Sequence, residues 1–468
     1  MTIVHRGHLV HISGSPTVDE AASHLAWHPD GAVAVGDSGV IEWSGAYTEL
    51  PIRYREEPVT DHGRKFIVPG FVDTHIHFPQ VYSMDSYGGG QLLEWLNLCI
   101  FPNESNLIDP GFGEQAAHDF VDMLASSGTT TSLVFGSQFP HAQDALFAEF
   151  GRRGLRTVCG RTTMTVGPPS ASRLLTSEDE AIRLTTEEID RWHAADTGDP
   201  ATARLHVAVV PRFALSVTPQ TLRSLGDLYA SVRDRGVYFT SHLNENNRPG
   251  TGEVDSVKQA FGVNTYLDVY DGKFLPGSAR GGESLLGPRS VMAHGVHCQD
   301  EELARLAETG TSIGHCPVSQ LFLGSGTMPW RRTIGAGVNV ALGTDFAGGD
   351  ESLLLRVLND CFKVHMNEPG DAAVSLHPAE LLFTATVAGA RALALEDRIG
   401  NLDAGKEADF VVLDPDRWAP LARSLRHSQR ADDATLARDQ ILFALIMTSR
   451  EPAIDSVYVQ GSKVHCAP

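Results

Sequence analysis

The sequence lacks any pair of cysteines in a CxxC arrangement, and its six cysteines are scattered over 468 residues. In a chain of this size, scattered cysteines indicate reduced thiols in a reducing compartment rather than a disulfide framework. The chain also has no window close to the ~20 consecutive apolar residues that a membrane span requires. Its N-terminus carries no apolar stretch long enough for a signal peptide. We therefore expect a cytoplasmic protein that does not bind a membrane.

Basic residues are scarce, with 37 Lys and Arg against 58 Asp and Glu and a net charge of −21. This balance argues against sequence-independent binding of nucleic acid, which depends on Lys and Arg neutralising phosphates. Hydrophobic residues make up 42% of the chain, which is enough for a large core. A chain of this length fits one barrel of roughly 250 residues or more with a smaller domain attached.

Short β-branched runs recur along the middle of the chain, and helical patterns lie between most of them. The runs are Gly70–His77, Thr129–Phe135, Arg156–Thr163, Leu205–Pro211, Val237–His242, Ser290–His294, Thr311–His315 and Val338–Thr344. Eight strands that alternate with helices are typical of a (β/α)₈ barrel, which we predict for residues 67–402.

The two ends of the chain break this alternation. Residues 1–66 and 403–468 contain short strands and turns, and we predict that they pair into one small β-sandwich domain beside the barrel. Residues 416–433 are rich in Asp, Ser and Arg, and we expect them to form a mobile insertion in that domain.

Five of the predicted barrel strands end in residues that can carry chemistry. These are His75 and His77 on the first strand, Arg212 after the fourth, His242 with Glu245 at the fifth, His294 on the sixth and Asp345 after the eighth. The carboxyl ends of the strands in such a barrel form the mouth of the active site, so we expect these side chains to meet there.

The residue types at this rim are those that bind zinc. Side chains alternate along a strand, so His75 and His77 point to the same side. With His242 and Asp345 they form a nitrogen and oxygen ligand set that leaves one position for water. Zinc lowers the pKa of such a water to about 7, which yields a hydroxide at neutral pH. Expulsion of a leaving group also needs a proton carrier, and Glu245 is placed for that role.

Each of these residues, taken alone, has a structural explanation. Asp345 could cap a helix, Arg212 could be a buried ion-pair partner, and His294 could donate to a backbone carbonyl. Their joint placement at one rim favours a metal-dependent hydrolase. His315 and Cys316 also resemble a metal pair, but we predict that they only shape the seventh loop.

Two other hydrolase designs are excluded by missing residues. The fourth predicted strand and its end, Leu205–Phe213, contain no lysine that could be carboxylated to bridge two metals. The HxE…PCxxC signature of one class of zinc-dependent nucleobase deaminases is also absent.

The order of these motifs resembles the amidohydrolase superfamily. Within it, the chain is similar to guanine deaminases through PGFVDTHIHFPQ, LLEWLNLCIFPNE, VVPRFALS, SHLNEN, MAHG, HCPVSQLFLGSG and GTDFAGG. The match covers most of residues 66–415. It departs from the family pattern at Asn244 and at the small insertion Asn247–Gly252.

The resemblance implies hydrolysis of guanine to xanthine and ammonia in purine salvage, by a homodimer with one zinc ion per chain. A pterin, 8-oxoguanine or an aminotriazine remains an alternative substrate. The implied roles are zinc binding by His75, His77, His242 and Asp345, proton transfer by Glu245, contact of His294 with the water or the transition state, purine hydrogen bonds from Gln80 and Arg212, a ring slot formed by Phe213, and a mouth lined by Trp95 and Leu93.

Overall fold

The structure, a computed structural model, describes residues 1–84, 86–87, 91–248, 252–274 and 282–467. Residues 249–251 of the predicted insertion lie outside this range. The described strands are β1 (Ile3–Ile12), β2 (Leu25–Val35), β3 (Ile41–Ala46), β4 (Val59–Pro69), β5 (Phe71–His77), β6 (Thr129–Gly136), β7 (Arg156–Thr163), β8 (Leu205–Pro211), β9 (Tyr238–Leu243), β10 (Ser290–His294), β11 (Ser312–His315), β12 (Val340–Leu342), β13 (Phe410–Leu413), β14 (Ile454–Val459) and β15 (Ser462–Cys466).

Helices follow most of the barrel strands. The described α-helices are α1 (Leu92–Trp95), α2 (Phe101–Glu104), α3 (Pro110–Ser126), α4 (Pro140–Arg153), α5 (Glu178–Trp192), α6 (Pro219–Val232), α7 (Glu253–Phe261), α8 (Leu267–Tyr270), α9 (Asp300–Thr309), α10 (Pro317–Phe322), α11 (Trp330–Gly335), α12 (Leu354–Met366), α13 (Pro378–Ala385), α14 (Val387–Ala392), α15 (Ala419–His427) and α16 (Ala434–Thr448). A π-helical turn, Leu96–Ile100, joins α1 to α2.

Strands β5 to β12 form a parallel sheet in sequence order, which closes into the predicted (β/α)₈ barrel. At the closure, the Thr74 hydroxyl donates to the carbonyl oxygen of Leu342 at 3.0 Å, and the amide of Asp345 donates to the carbonyl oxygen of His75 at 2.8 Å. The last strand, Val340–Leu342, is shorter than the predicted Val338–Thr344. At Gly343 a Cβ would lie 2.8 Å from the Cβ of His75, so only glycine fits.

The chain ends form the predicted small β domain, as a seven-stranded sheet of order β15-β14-β13-β4-β1-β2-β3. The edge strand β3 also contacts the segment just before β13, since the amide of Ile41 donates to the carbonyl oxygen of Lys406 at 2.7 Å. The predicted boundary between residues 66 and 67 falls within β4, which continues to Pro69.

Residues 416–433, expected to be a mobile insertion, contain helix α15. The helix buries Leu421 and Ala422 on one side, so apolar side chains at helical spacing outweigh the polar composition of the segment.

All six cysteines lie in the described part of the chain and are free. No helix among the described residues is long and apolar enough to cross a membrane.

Candidate active site

The predicted metal ligands lie together at the carboxyl ends of the barrel strands. His75 and His77 end β5, His242 lies near the end of β9, and Asp345 follows β12. All four are buried, and the most exposed of them, His242, reaches 9%. The parallel strands deliver the side chains to one rim, as the sequence predicts.

The donor atoms of these residues are close enough to share one ion. Asp345 Oδ1 lies 3.3 Å from His75 Nε2 and 3.5 Å from His77 Nε2. His77 Nε2 lies 3.2 Å from His242 Nε2. One donor atom each from His75, His242 and His294 also falls within 4.8 Å of the others. Imidazole and carboxylate donors at this spacing fit a divalent metal ion.

Unpaired ring nitrogens support the metal site. No hydrogen bond from a described residue reaches either ring nitrogen of His75 or His294, although both side chains are fully buried. Buried polar groups without a partner are rare and costly, and a cation at this position would satisfy one nitrogen of each ring. His242 is oriented for the same purpose, because its Nδ1 donates to the carbonyl oxygen of Arg212 at 2.5 Å and its Nε2 faces the cluster.

Burial favours the neutral form of His77, His242 and His294, which is the form that binds metal. It lowers the pKa of His294 to about 3. It also lowers the pKa of His77 and of His242 well below the ordinary value, and the neighbouring His75 adds to both effects. Burial alone would raise the pKa of Asp345, but the surrounding imidazoles, His75 first, hold that pKa below its ordinary value.

Asp73 holds the first and last strands of the barrel in register beneath the ligands. It accepts hydrogen bonds from the hydroxyl of Thr344 at 2.6 Å, from the amide of Thr344 at 3.1 Å and from the amide of His75 at 3.1 Å. Burial raises the pKa of Asp73 to about 6, and these hydrogen bonds oppose the shift. The fixed backbone orients His75 and Asp345 toward each other.

Three rim residues have left-handed backbone conformations. The φ angles are 51° at Asn244, 73° at His294 and 46° at Asp345. Such conformations strain residues other than glycine and concentrate at functional sites. Asn244, a departure from the family pattern, is also fixed by its side chain, which donates to Glu302 Oε1 at 3.0 Å.

Glu245 lies beside the histidine cluster. Its Oε2 is 3.4 Å from His294 Nε2, and its side chain is almost fully buried. Burial raises the pKa of Glu245 well above its ordinary value, and the carboxylates of Glu253 and Asp345 add to this effect. A carboxyl group with a raised pKa can hold a proton near neutral pH, which suits a proton carrier.

A cavity opens directly onto these residues. It encloses about 370 Å³ of space, part of it open to solvent. Its described lining residues are His77, Gln80, Leu92, Trp95, Leu96, Arg212, Phe213, His242, Glu245, Glu253, Leu323 and Asp345. The cavity therefore brings three of the four predicted metal ligands and the proton carrier together with four of the five predicted substrate contacts, while His75 lies outside its described lining.

The fifth predicted contact, Leu93, is absent from this described lining. It borders a neighbouring cleft with Met164 and Leu215. Consecutive residues in a helical turn point about 100° apart, so Leu92 and Trp95 share the face toward the cavity while Leu93 faces away.

Glu104 is the residue whose role sequence reasoning missed. It is 0% exposed, and its carboxylate accepts hydrogen bonds from Gln80 Nε2 at 3.0 Å and from both terminal nitrogens of Arg212. The signal was available, because a cation expected beside a neutral ligand requires a buried counter-charge.

A second group of donors is explained without a metal. His315, Cys361 and His365 have donor atoms within 4.8 Å of one another. However, Gln320 donates to His315 Nδ1 at 3.2 Å, His315 Nε2 lies 3.1 Å from His365 Nε2, and His365 Nδ1 donates to Glu368 at 2.6 Å. These contacts form a complete chain of donors and acceptors, which supports the predicted structural role of His315.

Comparisons with known proteins identify the family of this chain. Residues 66–464 match the amidohydrolase family. The chain belongs to this family. It is 40% identical to a probable guanine deaminase of Deinococcus radiodurans over 98% of both chains. It is 34% identical to the guanine deaminase of Escherichia coli K12 over 96% of this chain and 94% of that one.

The solved structure of the E. coli guanine deaminase has the same fold as this amidohydrolase. It superposes with a TM-score of 0.87 at 31% sequence identity over 100% of both chains. The shared fold thus includes the small β domain as well as the barrel.

Proposed function

We propose that this chain catalyses the hydrolytic deamination of guanine to xanthine and ammonia in purine salvage. The observation that carries the proposal is that one cavity joins a His and Asp donor cluster to a buried pair of hydrogen-bonding residues, Gln80 and Arg212. The guanine deaminases of two bacteria, similar over nearly the whole chain, support the choice of substrate.

His75, His77, His242 and Asp345 would hold one zinc ion per chain. The unpaired nitrogens of His75 and the close approach of Asp345 support this ligand set. Zinc, when bound, makes a water molecule acidic enough to act as a nucleophile at neutral pH.

Glu245 would accept one proton of the water and pass it to the purine ring, and would then move the second proton, from the hydroxyl formed at the attacked carbon, to the departing amine. Its raised pKa favours holding the proton between these two steps. His294, 3.4 Å from Glu245, is neutral and lies where it can hydrogen-bond to the transition state.

The substrate would bind edge-on against Gln80 and Arg212. The guanidinium of Arg212 is a donor that suits the 6-oxo group of guanine, and it would meet an amino group on adenine. Phe213 and Trp95 line the same cavity with apolar rings, which fits a planar base. No structural contact supports a role for Leu93 at the mouth.

A homodimer, implied by the resemblance, and a cytoplasmic location, expected from the scattered cysteines, both remain predictions. The same holds for the division of the chain at residues 66–67 and 402–403.

Product analysis tests the proposed function. The protein, stripped by a chelator and reloaded with zinc, is incubated with guanine, and xanthine and ammonia are quantified separately. We expect both products in equal amounts only in the reloaded sample, with activity rising until about one zinc is bound per chain. Turnover of guanine by the stripped protein at the same rate would contradict the metal-dependent mechanism.

A further inference from the structure

One wall of the cavity consists of three buried polar groups, from Gln80, Glu104 and Arg212. Glu104 is 0% exposed, and Gln80 and Arg212 are each 2% exposed. Glu104 Oε1 accepts from Gln80 Nε2 at 3.0 Å and from Arg212 Nη2 at 2.9 Å, while Oε2 accepts from Arg212 Nη1. The carboxylate thus contacts both predicted substrate-binding residues at once.

These contacts fix which atoms remain for a ligand. Gln80 Nε2 is engaged by Glu104, and Gln80 Oε1 is buried with no partner among the described residues. An amide side chain can otherwise rotate to exchange its donor and its acceptor. Because a carboxylate only accepts hydrogen bonds, Glu104 holds Gln80 with its NH₂ group turned away and its oxygen free as an acceptor.

Arg212 is fixed in the same way. Its guanidinium is held in a two-pronged ion pair with Glu104 and lies over the ring of Phe101, with its central carbon 5.0 Å from the ring centroid. The pair has no net charge, which suits a neutral base, and the guanidinium plane is locked for its remaining N–H groups.

We propose that Glu104 is a positioning residue that sets the substrate specificity of the site. It makes Gln80 an obligatory acceptor and Arg212 an obligatory donor, so that the wall recognises the ring N–H and 6-oxo groups of an oxopurine. This inference rests on the proposed function, because it concerns the substrate of that same cavity.

The test compares Glu104→Gln with the unaltered protein on guanine and on 2-aminopurine. Both substrates carry the 2-amino group, but 2-aminopurine lacks the 6-oxo group and the ring N–H beside it. The unaltered protein should prefer guanine by about 10⁴-fold in kcat/KM, as expected for a site built to bind those groups.

In the Glu104→Gln variant, kcat/KM for guanine should fall about 100-fold, because the two binding groups lose their fixed positions. The value for 2-aminopurine should change much less, so the preference collapses. If Glu104 had a purely structural role, the substitution would lower kcat/KM for both substrates by the same factor. That result would overturn the inference.

Glu188→Gln is the matched control. Glu188 is also buried, and it accepts hydrogen bonds from Gln143 Nε2 at 3.3 Å and from the amide of Arg161 at 2.9 Å. It does not belong to the described cavity lining, so its substitution should leave the preference for guanine unchanged. Zinc content and thermal unfolding, measured on every variant, show whether each protein is folded and loaded.

Glu104→Asp provides a second variant if Glu104→Gln does not fold. It keeps the charge but withdraws the carboxylate by one methylene, so the preference for guanine should again fall while zinc content stays constant. An unchanged preference in this variant would overturn the inference. Failure of the proposed function is a separate outcome, since the unaltered protein would then not deaminate guanine at all.

Discussion

At the scale of single residues, the site shifts the pKa values of two buried carboxyl groups in opposite directions. Burial and nearby carboxylates raise the pKa of Glu245. The imidazoles around Asp345, His75 first, hold the pKa of that carboxyl low although burial opposes them. Pairs of acids whose environments push their pKa values apart commonly divide the work of catalysis. Here Asp345 suits a permanently charged ligand, and Glu245 suits a group that gains and loses a proton.

Glu245→Gln should therefore abolish most activity without removing the metal. The amide cannot carry a proton, so kcat should fall by about 10³-fold, within the range for general acid–base groups. Steady-state kinetics with guanine and metal analysis of the same preparation provide the measurement. Near-normal turnover would exclude Glu245 as the proton carrier.

Arg212→Ala should weaken the recognition of guanine and leave the metal content unchanged. The 6-oxo group loses its donor, and kcat/KM for guanine should fall by about 10²-fold or more, whereas the low rate with adenine should not fall. Rates with both bases, together with zinc content, check this. An equal loss of kcat/KM with both bases would show that Arg212 stabilises the fold and does not determine specificity.

At the scale of elements, the sequence predicts the strands better than the connections between them. The β-branched runs predict all eight barrel strands, and the alternation of His75 and His77 places both at one rim. The orientation of the short helix α1 is harder to predict from the sequence. Leu92 and Leu93 are chemically alike, and only the rotation of the helical turn decides which of the two side chains faces the cavity. The role of Glu104 depends on contacts with Gln80 and Arg212 from distant parts of the chain, which no local pattern shows.

The residues that directly follow the metal-ligand strand β9 are held by one buried carboxylate. Glu253 accepts hydrogen bonds from the amides of Glu245 at 3.1 Å and Asn246 at 3.4 Å, and from the hydroxyl of Tyr266 at 2.6 Å. These contacts fix the backbone of Glu245 and Asn246, so they position the proton carrier.

Tyr266→Phe should reduce kcat about tenfold, because the Glu253 carboxylate loses a hydrogen bond of about 1.5–3 kcal/mol and Glu245 is held less firmly. The control is Tyr238→Phe, whose hydroxyl donates to the carbonyl oxygen of Leu393 at 2.7 Å away from the described cavity lining. The control should lower stability without changing kcat. Equal effects on kcat would contradict the proposed coupling.

At the scale of the whole molecule, a buried arginine joins the barrel to the small domain. Arg156, at the start of β7, is 0% exposed and donates to Glu407 and, at 3.0 Å, to Asp409 just before β13. Both carboxylates have further partners, since Arg398 donates to Glu407 at 2.6 Å and the amide of Gln460 donates to Asp409 at 2.8 Å. The network lies at the amino ends of the barrel strands, away from the catalytic rim.

Arg156→Met should lower the free energy of unfolding by about 3–5 kcal/mol, because it leaves the buried carboxylate of Asp409 without its cation. Activity measured well below the unfolding temperature should persist. Arg152→Ala, which breaks an exposed ion pair with Glu149, is the control and should cost about 0–1 kcal/mol. Both free energies of unfolding are measured by guanidinium denaturation. Similar losses of this free energy in the two variants would show that the Arg156 network does not hold the domains together.

The central claim, that the cavity is built for guanine, is tested most directly by one spectrophotometric screen. Guanine, 8-oxoguanine, isoxanthopterin and ammeline are compared on a single zinc-loaded preparation. The arrangement of Gln80, Glu104 and Arg212 beside the metal ligands predicts the highest kcat/KM for guanine, with release of ammonia. Rapid turnover of isoxanthopterin or ammeline with no ammonia released from guanine would contradict it.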